Sequence, residues 1–228
     1  MPFPLLAVSS NVNVNVSGLK DPSTAVLIIV VITVLAIVPS VLIMMTGFTR
    51  VFIVLSLTRN ALGTQTVPPN QVIAGLALFI SLFIMGPVIT QINHVAVQPY
   101  EHGQITATQA IDRGEVPLEH WMLDQTRANE LALFTSAANE KTSNPDSLPL
   151  TTVIPAFVLS EIETAFLIGF MIFIPFMIID LVVSAIMMSM GMYMLPPTLI
   201  SLPFKILLFV LIDGWSLVVS SLIQSFRT

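Results

Sequence analysis

Five charged residues stand inside the most apolar stretch of the chain, the run from Pro155 to Asp213: Glu161, Glu163, Asp180, Lys205 and Asp213. A charge left in hydrocarbon costs at least ~2.5–3.5 kcal/mol, so charges kept there are normally buried against protein or line a watery path. Two kinds of chemistry are open to them: an ion or proton path, or charge pairing that sets how helices meet. Glu163, in Ser160-Glu161-Ile162-Glu163, suits an interfacial position that still touches water. Glu161 is a candidate partner for Lys205, while Asp180 and Asp213 are buried charges without an assigned role. Seven of the twelve methionines lie between Met171 and Met194, and Gly191-Met192-Tyr193-Met194 runs into Leu195-Pro196-Pro197. Such a cluster can be a soft packing surface. On a constrained loop its unbranched thioethers can also close around a moving chain and reseal behind it. His94, His102 and His120 show no ligand spacing, and no nucleophile triad, HExxH, P-loop or GxGxxG occurs, so neither an enzyme nor a cofactor or metal site is expected.

The elements that must carry these residues belong to a membrane-type protein. Of 228 residues, 55% are hydrophobic and 9% charged, with mean hydropathy +0.92; a soluble domain carries about a quarter charged residues. The net charge of −5 leaves no basic patch for nucleic acid. Without cysteine, disulfides and thiolate metal sites are excluded. The N-terminal Met1–Asn11 lacks a basic region and a long apolar stretch, so it reads either as having no signal peptide or as having lost one.

Four apolar segments stand out, about Thr24–Met45, Val72–Ile92, Ala156–Met190 and Leu199–Ile223. A bilayer core needs about 20 apolar residues as helix, so the third is too long for one straight span, and Pro175 is expected to bend or break it. The fold expected is all-α: an N-terminal arm (1–23), a first helical hairpin (24–92), a small helical extracytoplasmic domain (93–152) and a second hairpin with the methionine-rich loop (153–228). Arg50 and Arg59 lie between the first two segments with no acid nearby, which reads as a cytoplasmic loop and puts the acidic 93–152 region outside. In that region Pro117 is a possible helix start, and Leu118, Trp121, Met122 and Leu131 suggest an apolar stripe. Asp124, Arg127 and Glu130 recur three apart, as on a solvated helix face, and Lys141–Pro149 reads as a surface loop. Asn11–Ser17 alternates polar and apolar residues, as an extended arm does, and includes a glycosylation triplet at Asn15. Two stretches echo one another: each places Pro-Pro before an apolar helix, with Gly86 and Gly214 in register.

Depth along the helices constrains the charges. With a hairpin turning near Leu195, Lys205 lies level with about Ile186, and Glu161 is about 25 residues further, roughly 35–40 Å along a helix. A Glu161–Lys205 contact then falls more simply between neighbouring subunits, where it would specify register more than it would add stability. Asp180 is nearly level with Asp213 in this arrangement.

Three long strings carry a family resemblance: PAFVLSEIETAFLIGFMIFIPFMIIDLVVSAIMMSMGM, Thr46–Ile89 (TGFTRVFIVLSLTRNALGTQTVPPNQVIAGLALFISLFIMGPVI) and LPPTLISLPFKILLFVLIDGW. They resemble the FliP family, the export-gate proteins of flagellar type III secretion. The resemblance implies an oligomer of about five copies that forms, with FliQ and FliR, a closed helical channel in the bacterial inner membrane at the flagellar basal body. Part of that assembly would lie on the periplasmic side. FlhA, FlhB and unfolded export substrates are the further partners implied. It also implies a pore gasket at Met192, Tyr193 and Met194, with Tyr193 where the family often has methionine, and an intersubunit ionic contact at Glu161 and Lys205. The virulence-secretion counterpart is the nearest alternative. From another class, a secondary transporter would use Asp180, Lys205 and Asp213 as its path.

Overall fold

A computed structural model describes residues 22–64, 66–139, 148–192 and 194–226. The expected N-terminal arm with its glycosylation triplet, most of the 141–149 loop and Tyr193 lie outside the described residues. Among those described there are helices and turns and no strand. By contacts the chain divides into two units, residues 1–41 and 42–228. The first holds most of α1 (Pro22–Met44), a helix of 23 residues without a charged side chain.

The second unit is built on α2 (Phe48–Ala61), α3 (Asn70–Ile84), α4 (Gly86–Ile92), a short π-helical turn (Asn93–Val97), α5 (Gln98–Glu101), α6 (Ala107–Gln125), α7 (Ala128–Ala137), α8 (Leu150–Ser189), α9 (Pro197–Leu211) and α10 (Gly214–Gln224). The residues from Arg50 to Arg59 are therefore not a loop. They form the central helix of the unit, α2, which buries Arg50, Val51, Val54, Leu55, Thr58 and Ala61. That spacing of three and four is a helix face, and it packs on α8 and α3. Contact with α8 is close because Gly169 has no side chain: a Cβ there would come within 2.2 Å of Leu57 Cδ1.

α8 runs through both Pro155 and Pro175 as a single helix of 40 residues, about 60 Å at 1.5 Å per residue. The expected break at Pro175 does not occur. A proline removes one i→i−4 bond at about 3 kcal/mol, and the helix is held on either side by buried Ala165, Gly169 and Phe176. By itself it is long and apolar enough to cross a membrane. The second and fourth apolar segments are not straight spans. Asn70–Ile84 meets Gly86–Glu101 at 54°, and Pro197–Leu211 meets Gly214–Gln224 at 63°, so each pair is membrane-capable only when counted as one bent span.

α6 starts at Ala107, ten residues before the proline first taken as its start. Thr106 accepts from Gln109 N while the Gln109 side chain accepts from Thr106 N, a reciprocal capping box. Pro117 lies inside the helix. The apolar stripe is divided between two helices: Leu118, Trp121 and buried Met122 lie on α6 and Leu131 on α7, and they pack together with Val153 and Phe157 of α8. Asp124, Arg127 and Glu130 do not share a helix face, since the chain breaks at Thr126–Arg127 between α6 and α7.

Candidate functional site: two ion pairs and a methionine loop

Glu161 sits on the face of α8 that meets α2 and is fully buried, whereas Glu163 is half exposed and pairs with Arg127. The partner of Glu161 is Arg50. The guanidinium grips both carboxylate oxygens, with Nε 3.0 Å from Oε2 and Nη2 bonded to Oε1. This two-toothed geometry is what arginine supplies and lysine does not. The third nitrogen, Nη1, donates to the carbonyl and hydroxyl oxygens of Ser225 at 3.0 and 3.2 Å, and the guanidinium lies 3.9 Å over the Phe226 ring. Next to Glu161, the Ser160 hydroxyl accepts from Arg127 N and donates to the Gln125 carbonyl. Ser160 thus fixes the α6–α7 elbow, and Arg50, held by the adjacent Glu161, fixes the C-terminal end of α10.

Lys205, on α9, is also buried. Its Nζ donates to Asp180 Oδ2 at 2.5 Å and to the Ala61 carbonyl at the end of α2 at 3.3 Å. Ser201 Oγ donates to the other Asp180 oxygen at 2.5 Å. One lysine therefore joins α2, α8 and α9, with its charge beside carbonyls at a helix C-terminus, where a cation is favoured.

Within the chain Glu161 and Lys205 do not meet: each has an ionic partner of its own, Arg50 and Asp180. The depth estimate failed at the turn. α8 ends at Ser189 and α9 begins at Pro197, so the hairpin is centred on residue 193 rather than 195, and the difference counts on both arms. Lys205 then comes level with Asp180 instead of Ile186. Asp180 is accordingly not an isolated buried charge, and it is not level with Asp213. Asp213 is exposed, with φ 52 and ψ 52 at the break before α10; aspartate is among the few residues that tolerate this left-handed conformation. Its neighbour Gly214 leaves room for the Phe209 ring, which a Cβ would approach to 2.3 Å.

Arg59, at the other end of α2 from Arg50, donates from Nη1 to the Pro68 carbonyl at 3.1 Å and to Asn70 Oδ1 at 2.6 Å. The methionine loop is the reverse of these clamps. Gly191, with φ +76, ends α8, Pro196 and Pro197 start α9, and between them Met194 is 98% exposed and Met192 39%. His94, His102 and His120 are exposed, and among the described residues no group of three or more His, Cys, Asp or Glu is placed to hold a metal.

Sequence reading missed α2 as a helix, and with it Arg50 as an ion-pair partner; the three-and-four spacing of its apolar residues was the available signal. The hydroxyls of Ser160, Ser201 and Ser225 carried no signal, since serine is common and only proximity gives these a role.

Paired charges inside an all-helical, membrane-capable fold, with an apolar loop left in the open, define a membrane-associated helical protein. The sequence profile of the FliP family matches residues 31–222. The flagellar biosynthetic protein FliP of Bacillus subtilis (strain 168) is 52% identical over 219 residues, 93% of this chain and 98% of that protein. The proteins of the same name from Aquifex aeolicus (strain VF5) and Caulobacter vibrioides are 50% and 42% identical, over 88% and 100% of this chain and 85% and 86% of their own lengths. The chain belongs to the FliP family, and its relatives are proteins of flagellar biosynthesis.

Proposed function

We propose that this chain is a subunit of the flagellar export gate, which assembles in about five copies with FliQ and FliR into a channel for unfolded flagellar proteins. The assembly sits in the bacterial inner membrane and reaches to the periplasmic side, with residues 93–152 extracytoplasmic, and FlhA and FlhB work with it. Family membership supports the flagellar setting. The single structural observation that carries the gate is the methionine loop: Met194 is 98% exposed on a segment pinned by Gly191 and Pro196–Pro197. A flexible apolar side chain held outward in this way has its use in an assembly, where copies of the loop meet and seal against one another or around a passing chain. Met192, Tyr193 and Met194 are the gasket in this reading. A solute path through Asp180 and Lys205 is disfavoured by their pairing, since the charges already satisfy each other.

Replacing Met192 and Met194 together with alanine tests the seal. The closed gate should then leak small molecules while subunit assembly persists; unchanged membrane permeability would remove the gasket role. Contacts between copies have to be made in addition to the internal ion pairs, on surfaces that leave Glu161 and Lys205 with their own partners.

A further inference from the structure

The two halves of the second unit repeat each other at one constant offset. The difference that separates Gly63 from Gly191 also separates Pro68–Pro69 from Pro196–Pro197 and Gly86 from Gly214. The elements obey it too: α2 and α8 end at Ala61 and Ser189, and α4 and α10 begin at Gly86 and Gly214, all at that same offset. Both glycines are in the left-handed region, Gly63 at φ +80 and Gly191 at φ +76. Each Pro-Pro opens a helix of 15 residues that ends at a bend, of 54° in one half and 63° in the other. Even the turn bonding corresponds. Met192 N donates to the Met187 carbonyl at 3.1 Å, and at the equivalent positions the Thr64 hydroxyl donates to the Arg59 carbonyl at 3.2 Å.

The methionine loop therefore has a counterpart, the segment from Gly63 to Pro69. This first loop lines a cleft of about 780 Å³ through Thr64, Thr66 and Val67, together with Leu199 and Leu202 on the turns of α9 that follow the methionine loop and with the Asp180–Lys205 pair. Thr66 and Val67 are exposed, as Met192 and Met194 are. The loops differ in chemistry and in anchoring. The first carries hydroxyls in place of thioethers, and Arg59 straps it through the Pro68 carbonyl and Asn70. The residue equivalent to Arg59 in the second half is Met187, which carries no charge or hydrogen-bonding donor for such a strap.

We propose that the Gly63–Pro69 loop is a second lip of the gate. It is a fixed, hydroxyl-bearing edge that meets the exported chain as the counterpart of the adaptable methionine loop. Threonine hydroxyls both donate and accept, so they can satisfy the exposed peptide groups of an unfolded chain without selecting a sequence. This rests on the export-gate reading above.

The chain has no cysteine, so single substitutions serve as unique probes in the full protein assembled with its partner subunits. Thr66→Cys, Val67→Cys and Met194→Cys would each be tested for cross-linking to an export substrate arrested in the gate by a stably folded C-terminal fusion and carrying one cysteine in its unfolded part. Ser136→Cys, on exposed α7, provides the background. The expected result is cross-linking at Thr66→Cys or Val67→Cys together with Met194→Cys, and none at Ser136→Cys. Cross-linking at Met194→Cys, with Thr66→Cys and Val67→Cys both at background in assembled complexes, overturns the second lip and leaves the gate standing. Cross-linking at none of the positions overturns the gate reading and this proposal with it. Two variants in the first loop guard against one of them failing to assemble.

Discussion

Arg50 has five N–H donors in one plane; they bond Glu161 and Ser225, while the face of the guanidinium lies on Phe226. Breaking a buried pair by removing one partner costs about 3–5 kcal/mol, because the other charge is left without compensation. Glu161→Met and Arg50→Met should therefore each destabilise the solubilised chain by about that much, whereas the two combined should recover most of the loss. Unfolding of the four proteins checks this, and strict additivity would refute the coupling. At the second pair, exchanging the charges as Asp180→Lys with Lys205→Asp should restore assembly and motility better than either single change. Exchanging Glu161 and Lys205 should not, since neither faces the other. Co-purification with partner subunits and swimming assays separate the two exchanges.

Among the elements, α2 is the one whose role changed most between sequence and structure. Two arginines in fourteen residues suggested a water-exposed connection, yet the helix fills the space between α3 and α8 and carries Arg50 inward. Position Gly169 lets α8 approach it. Gly169→Ala should lower stability by about 1–3 kcal/mol through overpacking against Leu57, and adding Leu57→Ala should relieve much of that loss. Unfolding midpoints of the single and double variants read this directly, and a neutral Gly169→Ala would mean the helices can shift apart. The bends at Gly86 and Gly214 were visible only as glycines in register. Hydropathy saw continuous spans there because it averages along the chain and is blind to direction.

Across the whole molecule, stability and function should separate at the methionine loop. A side chain exposed as fully as Met194 has almost no packing to lose, and surface substitutions away from special features fall within about ±0.5 kcal/mol. Met194→Ala should leave unfolding of the isolated chain unchanged while export or membrane sealing suffers in cells. Loss of stability of the isolated chain would instead make the loop part of the subunit's own core. The second loop differs here, because Arg59 ties it down. Arg59→Gln should loosen the Gly63–Pro69 segment, detectable as faster maleimide labelling of a cysteine placed at Thr66, with the rest of the chain intact.

Composition alone established a surface that lipid or a large assembly must cover, since so few charges cannot clothe a soluble surface of this size. Local spacing gave the apolar segments, the stripe through Met122 and the methionine loop, because these depend on neighbours within one or two turns, and the three long strings gave the family. Pairing of the charges did not follow from either. Arg50 and Glu161 are far apart in the chain, and whether Lys205 meets Asp180 or the level of Ile186 turns on where the hairpin is centred. Only the tertiary structure fixes that register, because a shift of two residues at the turn moves the facing residue by a full helical turn.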